Sequence, residues 1–380
     1  MAGSFTCEII VNIVLLTRDL KTGGAERVVT TLANHWAALG WRVRILCLSG
    51  KETIYEIDGR VTVQALSLPS AGIRLHLGLR RAICRAAPHV VVAFPDIVSI
   101  LAVMATAGTR IPVVASERNH PGYVEKKLSL KMKMLRRLLL PRAAAVVFQT
   151  YRAKEDWCRR MHLRGSRTHV IPNPTFFPGA TGTAPRLGKP AMVAMGRLVH
   201  QKGFDMLLKA FANVSPLFPA WRLYIFGEGE ERADLERLRD RLGLGMRVLM
   251  PGVIDDVGGV FKQASLFVLS SRYEGFPNVL LEAKGGGLPV VAFDCEYGPR
   301  EIVEHGRTGL LVPAQSIDSM SKALTRLIKN PQERAAMASA AARTRTIYKP
   351  ERILPKWDNL LSDLAALNRG TGESPSHKGN

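Results

Sequence analysis

Two carboxylates flank a short turn in the C-terminal half of the sequence. Glu274 and Glu282 have seven residues between them, and that segment reads Gly-Phe-Pro-Asn-Val-Leu-Leu. An apolar run over residues 264–269 predicts a strand before the turn, and the apolar residues after Pro277 predict a helix start. Ligands of parallel α/β sheets bind beyond the carboxyl ends of strands, and the free amides of a helix start attract anions. Carboxylates repel phosphate but bind hydroxyl groups, so the stretch predicts a ligand that carries both, such as a sugar nucleotide.

The same stretch, EGFPNVLLEA over residues 274–283, resembles the Glu-x7-Glu signature of the retaining glycosyltransferases of family 4. A second stretch, GRLVHQKG over residues 196–203, is similar to the G-R-L-x-x-x-K-G motif of that family. The resemblance covers nearly the whole chain. It implies the α/β fold called GT-B, in which two doubly wound Rossmann-like domains face a cleft and a C-terminal helix crosses back to the N-terminal domain.

The resemblance also implies a role for each matching residue. Arg197 and Lys202 would hold the donor diphosphate, where cations stabilise the leaving anion. Glu274 would position the hydroxyls of the transferred sugar, and Glu282 would bind those of the ribose. The segment after Glu274 would contact the donor, and it comprises Gly275, Phe276, Pro277, Asn278 and Val279.

Two loops of the N-terminal half would complete this donor site. In the family, a loop such as Gly23-Gly24 packs against the phosphates and the sugar, because glycine lets backbone approach closely. The loop over 116–121 follows a predicted strand, and the resemblance makes Arg118 a donor contact and His120 a catalytic residue beside the sugar. The Gly-Gly loop lacks G-x-G-x-x-G, and the second strand ends without an acid for a ribose. These absences argue against a nicotinamide-dependent oxidoreductase.

The strand and helix pattern predicts where the domains begin and end. We expect an N-terminal acceptor-side domain over residues 1–174 and a Pro- and Gly-rich linker over 175–190. A nucleotide-sugar-binding domain should follow over 191–347, and the returning helix over 348–368. Residues 369–380 contain Gly, Ser and Lys and predict a disordered tail.

The net charge of +21 over 380 residues predicts an anionic partner. Residues 124–140 predict an amphipathic helix with Val124, Leu128, Met132, Leu135 and Leu139 on one face. Its basic residues would lie opposite, and they are Lys126, Lys133, Arg136 and Arg137. Such a helix either packs on its own domain or lies on an anionic membrane surface, and the sequence leaves both open.

Two further patterns concern the compartment. The apolar stretch over 89–108 is interrupted by Pro95-Asp96, which favours a buried strand followed by a helix over a membrane span. The five cysteines are scattered, which predicts reduced thiols in the cytoplasm. We therefore expect a cytoplasmic protein that is peripheral on the inner face of the plasma membrane.

Together these features predict an enzyme that moves a hexose or N-acetylhexosamine from a nucleoside diphosphate sugar to a lipid-linked or polysaccharide acceptor. The segment DCEYGPREI over 294–302 resembles a motif of the bacterial surface-glycan branch that uses UDP-sugars, with Glu296 in place of a proline. A donor of the GDP-mannose type stays open, as does a non-catalytic sugar-nucleotide-binding scaffold. A basic nucleic-acid-binding protein is disfavoured, because residues 126–137 contain no aromatic residue. We expect no cofactor, no bound metal and no nucleic-acid partner, and the sequence does not predict an oligomeric state.

Overall fold

The chain forms two compact units in a computed structural model that describes residues 10–21, 23–69, 71–119, 122, 128–175 and 182–370. The N-terminal unit comprises Met1–Pro172 together with Ile353–Asn380, and the C-terminal unit comprises Asn173–Arg352. Each unit has its own parallel sheet and its own hydrophobic core. The returning end of the chain therefore completes the first unit.

The N-terminal unit has a seven-stranded parallel sheet in the order β3-β2-β1-β4-β5-β6-β7. Its strands are β1 (Asn12–Thr17), β2 (Arg42–Cys47), β3 (Thr62–Ala65), β4 (Val90–Ala93), β5 (Val113–Ser116), β6 (Ala145–Phe148) and β7 (Thr168–Val170). The helices that the structure describes before the C-terminal unit are α1 (Gly24–Ala38), α2 (Ile73–Ala86), α3 (Ile97–Ala105), α4 (Leu130–Leu139) and α5 (Tyr151–Met161). Strands β4, β5 and β6 are buried along their whole length, as expected where helices cover both faces of a sheet.

The C-terminal unit has a six-stranded parallel sheet in the order β10-β9-β8-β11-β12-β13. Its strands are β8 (Ala191–Met195), β9 (Arg222–Phe226), β10 (Val248–Gly252), β11 (Leu266–Leu269), β12 (Val290–Asp294) and β13 (Gly309–Pro313). Its helices are α6 (Phe204–Val214), α7 (Arg232–Arg241), α8 (Val257–Gln263), α9 (Asn278–Gly285), α10 (Pro299–Ile302), α11 (Ile317–Lys329) and α12 (Pro331–Arg343). Apolar residues at helical spacing on α6 and α11 pack together over one face of this sheet.

The last helix, α13 (Pro350–Gly370), contributes to the core of the N-terminal unit. Its apolar residues recur every three or four positions and are buried there; they are Ile353, Leu354, Trp357, Leu361 and Ala365. The Trp357 ring lies against Trp36 and Phe94, with centroid distances of 6.5 and 6.1 Å. The predicted pair of Rossmann-like domains and the returning helix are thus confirmed.

Helix α4 begins later than the helix predicted over 124–140. Ser129 caps it, because its side chain accepts a hydrogen bond from the Met132 amide at 3.3 Å. Lys126 lies outside the described residues, and so do residues 371–380 of the tail predicted over 369–380. Within the described ranges, no helix has both the length and the apolar composition needed to cross a bilayer.

Candidate functional site

The C-terminal unit has a topological switch point between β8 and β11. The chain leaves β8 for β9 on one side of the sheet, while β11 lies on the other side. Doubly wound sheets bind ligands at such a point, beyond the carboxyl ends of the strands. Arg197 and Lys202 follow β8, and Glu274 follows β11, so the fold places the loops that carry all three at this point.

Lys202 and Glu274 are in direct contact. The Lys202 Nζ donates a hydrogen bond to the Glu274 Oε1 at 2.6 Å, and the Ser271 Oγ donates to the same oxygen at 2.6 Å. The two charged side chains are 15% and 6% exposed. An ammonium has three donors, and this contact uses one of them. The pair can therefore offer a cation to a phosphate and an oriented carboxylate to hydroxyl groups.

Backbone and side-chain hydrogen bonds join the two loops around this pair. The Ser270 hydroxyl donates to the Lys202 carbonyl at 2.9 Å, and the Arg272 amide donates to the Gln201 carbonyl at 2.8 Å. The Gln201 side chain donates to the Tyr273 carbonyl at 3.0 Å. Sequence reasoning missed these contacts, because each joins residues about 70 positions apart. They fix the separation of the ammonium and the carboxylate.

Arg272 is a further positioning residue that the motifs did not reveal. Its guanidinium donates to both carboxylate oxygens of Asp205, at 2.8 and 2.7 Å, and to the His200 carbonyl at 2.7 Å. Burial alone would raise the pKa of Asp205, but the hydrogen bonds and charge of Arg272 bring it below the ordinary value. Two hydrogen bonds in one plane hold the start of α6 against the loop after β11.

Two glycines allow the loops at this edge of the sheet to approach closely. Gly203 has a φ of +62°, and a Cβ there would lie 2.2 Å from the Ser270 carbonyl oxygen. Gly227, after β9, has a φ of +133°, and a Cβ would lie 1.9 Å from the Gly196 carbonyl oxygen. A side chain at either position would push neighbouring backbone aside. The glycine that ends the G-R-L-x-x-x-K-G motif is thus required by packing.

Arg197 differs from its neighbours because its side chain is exposed. Among the residues that the structure describes, the Arg197 guanidinium has no hydrogen-bond or ion-pair partner. An exposed guanidinium beside the switch point can bind two phosphate oxygens without first breaking an internal contact. Arg197 and Lys202 thus combine a free cation with a positioned one.

The turn after Glu274 leads directly into helix α9. Phe276 is buried edge-on against Tyr348, with ring centroids 5.8 Å apart, and Pro277 immediately precedes the helix. The Leu280 amide donates to the Pro277 carbonyl at 3.0 Å, so the amides before Leu280 precede the helix's own hydrogen-bond ladder. Glu282 lies one turn into α9 and is buried. The first turn of α9 therefore offers backbone amides that precede its hydrogen-bond ladder, and the next turn carries the Glu282 carboxylate.

Cys295 is buried close to Glu274, a neighbour that sequence spacing did not indicate. Burial and then the negative charge of Glu274 raise the pKa of the Cys295 thiol well above its usual range. A thiol in this environment stays protonated at neutral pH and is a poor nucleophile. Cys295 therefore packs beside the site without contributing covalent chemistry.

The N-terminal unit has its own switch point, between β1 and β4. Gly23 and Gly24 follow β1, and the Tyr55 hydroxyl donates to the Gly23 carbonyl at 3.0 Å. Arg118 follows β5; its Nε donates to the Ser116 hydroxyl at 2.7 Å, and its guanidinium lies over Phe94 at 4.9 Å. Burial lowers the pKa of Arg118 to about 9. His120 lies outside the described residues, so its predicted role stays a prediction.

Arg136 does not lie on an exposed basic face, and that sequence-based placement is wrong. Its side chain is 1% exposed, donates to the Glu117 carboxylate and lies 3.8 Å from the nearer oxygen of Asp96. Trp157 covers the guanidinium at 4.2 Å from the ring centroid. Burial raises the pKa of Glu117 to about 7, although Arg136 opposes this shift. Arg136 faces inward because two carboxylates at the ends of β4 and β5 form its binding partners.

The exposed face of α4 is consequently more apolar than predicted. Arg137 is exposed and Lys133 is half-buried, whereas Leu128 and Leu139 pack against the core. Leu130, Met134 and Leu138 follow one another at four-residue spacing and are 75%, 65% and 58% exposed. We call Leu130, Met134 and Leu138 the apolar stripe of α4. The stripe is exposed and lies next to the basic side chains of Lys133 and Arg137.

Comparison with known proteins finds a glycosyltransferase family model that matches each of the two units. Residues 22–175 match the family model described as Glycosyltransferase Family 4, and residues 182–344 match the model for Glycosyl transferases group 1. Amylovoran biosynthesis glycosyltransferase AmsD of Erwinia amylovora is 27% identical over 92% of this chain and 99% of its own. A Campylobacter jejuni alpha-1,4-N-acetyl-D-galactosaminyltransferase is 24% identical over 93% of this chain and 99% of its own. The name of that enzyme gives a substrate ending in diNAcBac-PP-undecaprenol. The crystal structure of Anabaena HepE in complex with UDP has a TM-score of 0.78 at 21% identity, covering 93% of this chain and 100% of that one.

Two Rossmann-like units and the returning helix define the class of GT-B glycosyltransferases. The chain belongs to family 4 of these enzymes, because the two family models together match most of its length.

Proposed function

We propose that the protein is a retaining glycosyltransferase that moves a hexose or N-acetylhexosamine from a UDP-sugar to a lipid-linked or polysaccharide acceptor in bacterial surface-glycan synthesis. The contact between Lys202 and Glu274 carries this proposal, since it joins a cation for diphosphate to a carboxylate for hydroxyls. The UDP in the HepE structure supports the choice of nucleotide. The names of the Erwinia and Campylobacter relatives support a glycan product and a lipid diphosphate acceptor.

In the proposed reaction, the acceptor oxygen attacks the anomeric carbon on the face from which the diphosphate leaves. The bond from this carbon to the diphosphate oxygen breaks as the new glycosidic bond forms, so the configuration is retained. The departing phosphate oxygen takes the proton of the acceptor hydroxyl. Arg197 and Lys202 stabilise the negative charge that develops on the diphosphate.

The remaining residues would position the donor. Glu274, oriented by Ser271, accepts hydrogen bonds from the sugar hydroxyls, and Glu282 accepts them from the ribose. The segment Gly275–Val279 contributes backbone contacts at the start of α9. The family resemblance adds Gly23, Gly24, Arg118 and His120 on the N-terminal unit.

A lipid-linked acceptor requires the enzyme to reach the membrane surface, and helix α4 supports this part of the proposal. Its apolar stripe can insert shallowly between lipids while Lys133 and Arg137 approach anionic headgroups. The net charge of +21 favours the same surface. We therefore propose peripheral binding to the inner face of the plasma membrane.

Thermal unfolding in the presence of UDP-, GDP- and ADP-sugars tests the donor assignment without an acceptor. A ligand that binds only the folded state raises the unfolding midpoint, so UDP-sugars should raise it most. Slow release of UDP should follow, and it should be lost in Arg197→Ala. Stabilisation by GDP-sugars alone would favour the GDP-mannose alternative. Binding without any nucleotide release would instead favour the non-catalytic scaffold.

A further inference from the structure

A cavity in the N-terminal unit has no role in the function proposed so far. It has a volume of about 360 Å³ and lies beside the edge strand β7. Helix α5 contributes Tyr151 and Lys154 to its lining, β7 contributes His169, and the returning helix α13 contributes Lys356. The size is typical of a small-molecule site that holds one compact group.

The lining of this cavity is basic. It contains two lysines and a histidine, and no carboxylate. Neither lysine ammonium has an ion-pair or hydrogen-bond partner within the described part of the chain. Burial and then the charge of Lys154 lower the pKa of His169 below its ordinary value, so these two side chains lie close enough to interact.

An anion would remove an unfavourable feature of this arrangement. Lys154 is half-buried, and a partly dehydrated ammonium without a counter-ion costs free energy. Lys356 is exposed and brings a second positive charge to the lining of the same cavity. Lysine binds phosphate as a compact point charge, and two lysines match the charge of a diphosphate.

We propose that this cavity binds the phosphate or diphosphate group of the acceptor. The inference rests on the function proposed above, in which the acceptor is a lipid-linked diphosphate. It assigns acceptor recognition to Lys154 and Lys356 on the N-terminal unit and leaves the donor diphosphate to Arg197 and Lys202. A phospholipid headgroup has the same phosphate chemistry, so the source of the phosphate has to be tested separately.

Calorimetric titration of inorganic diphosphate into the full chain saturated with UDP tests the site. UDP occupies the donor site, so the heat reports binding elsewhere. Lys154→Gln with Lys356→Gln should weaken diphosphate binding at least tenfold. Arg159→Gln with Arg167→Gln removes the same charge from exposed positions outside the cavity and should leave the affinity unchanged.

Equal affinities in the two double variants, or no diphosphate binding by the wild type, would overturn the inference. UDP affinity is measured in the same proteins, and its absence would count against the proposed function rather than against the cavity. Sedimentation with phosphatidylglycerol vesicles separates the two sources of phosphate. If the cavity variant binds vesicles as the wild type does but binds diphosphate less well, the acceptor is supported. If vesicle binding and diphosphate binding decrease together in the cavity variant, a lipid headgroup is supported as the source of the phosphate.

Discussion

Lys202 and Glu274 are 72 positions apart in the sequence, and their hydrogen bond makes the position of each side chain depend on the other. The fold thus holds both charges in place before any ligand binds. Preorganised charges stabilise a transition state without the cost of reorientation. Arg197, in contrast, is exposed, and its side chain makes no hydrogen bond or ion pair within the described residues.

This difference predicts distinct effects of removing the two cations. Arg197→Ala should lower turnover by ~10²-fold, as expected when charge stabilisation of the leaving group is lost, and should leave stability unchanged. Lys202→Ala should lower turnover similarly and also destabilise the fold by about 1–3 kcal/mol, because buried Glu274 loses its partner. Steady-state kinetics and urea unfolding measure the two effects. Lys209→Ala on the exposed face of α6 is the control, and near-normal turnover in both site variants would contradict the diphosphate assignment.

The two carboxylates should be separable by calorimetry. Glu282→Gln should weaken binding of UDP itself, because its partner is the ribose. Glu274→Gln should leave UDP binding unchanged and weaken binding of the complete UDP-sugar. The amide retains the size of the side chain, so lost packing does not explain the result. The reverse pattern would show that the two roles are exchanged.

At the scale of single elements, α4 has two different faces. One face places Arg136 between Glu117 and Asp96 at the ends of β4 and β5, and the other exposes the apolar stripe. A buried ion pair is expensive to break, because the remaining charge has lost both water and its partner. The helix is thus anchored to the loops of the sheet on one side and open to another surface on the other.

Breaking the buried pair predicts a large and pH-dependent loss of stability. Arg136→Met should destabilise the N-terminal unit by about 3–5 kcal/mol, and adding Glu117→Gln should recover part of that loss. Burial already raises the pKa of Glu117 to about 7, and removing Arg136 raises it further. A raised carboxyl pKa gives stability that is present at low pH and lost as pH rises, so the loss should be greater at pH 8 than at pH 6. Urea unfolding at both pH values measures this, with exposed Arg137→Met as control; equal losses in the single and double variants would refute the coupling.

The exposed stripe predicts how the enzyme partitions to membranes. Serine at Leu130, Met134 and Leu138 should reduce binding to vesicles that contain phosphatidylglycerol, because the inserted apolar area is lost. High salt should release the wild type, since attraction to the surface is screened within about 8 Å at physiological ionic strength. UDP affinity should not change. Ile54→Ser with Ile73→Ser removes exposed apolar residues elsewhere on the same unit, and equal partitioning of all three proteins would exclude a membrane role for α4.

At the scale of the whole molecule, the N-terminal unit depends on residues that come last in the sequence. Helix α13 completes its core through Trp357, which is fully buried against Trp36 and Phe94. The chain therefore has to extend through the entire C-terminal unit before the first unit has all its apolar contacts. Stability of the first unit is thus linked to the far end of the chain.

Trp357→Ala should consequently destabilise the N-terminal unit by about 3–5 kcal/mol, the usual cost of removing a large buried aromatic side chain. UDP affinity should stay close to normal at temperatures where the protein remains folded, because most of the predicted UDP contacts, among them Arg197, Lys202 and Glu282, lie on the other unit. Lys356→Ala, at the preceding exposed position of α13, serves as the stability control. Loss of UDP binding in folded Trp357→Ala would contradict this division of roles.

Sequence patterns indicated two parallel α/β domains, and the resemblance to the glycosyltransferases supplied the returning helix and the roles of the motif residues in the C-terminal unit. Continuous apolar strands that alternate with amphipathic helices allow few arrangements, because each apolar face has to be buried. The motifs around Arg197, Lys202 and Glu274 are short, and the fold brings the ends of β8 and β11 together. The motifs therefore identified these loops, and the family resemblance predicted that they meet.

Only the tertiary structure decided which groups touch. The contact of Lys202 with Glu274, the Arg272–Asp205 pair and the inward turn of Arg136 join residues distant in sequence. A helical pattern identifies apolar and polar faces, but on α4 both faces contain leucine and base, so hydrophobicity did not indicate the buried one. The position of Glu117 and Asp96 decided it, since a buried guanidinium is stable only where carboxylates already lie.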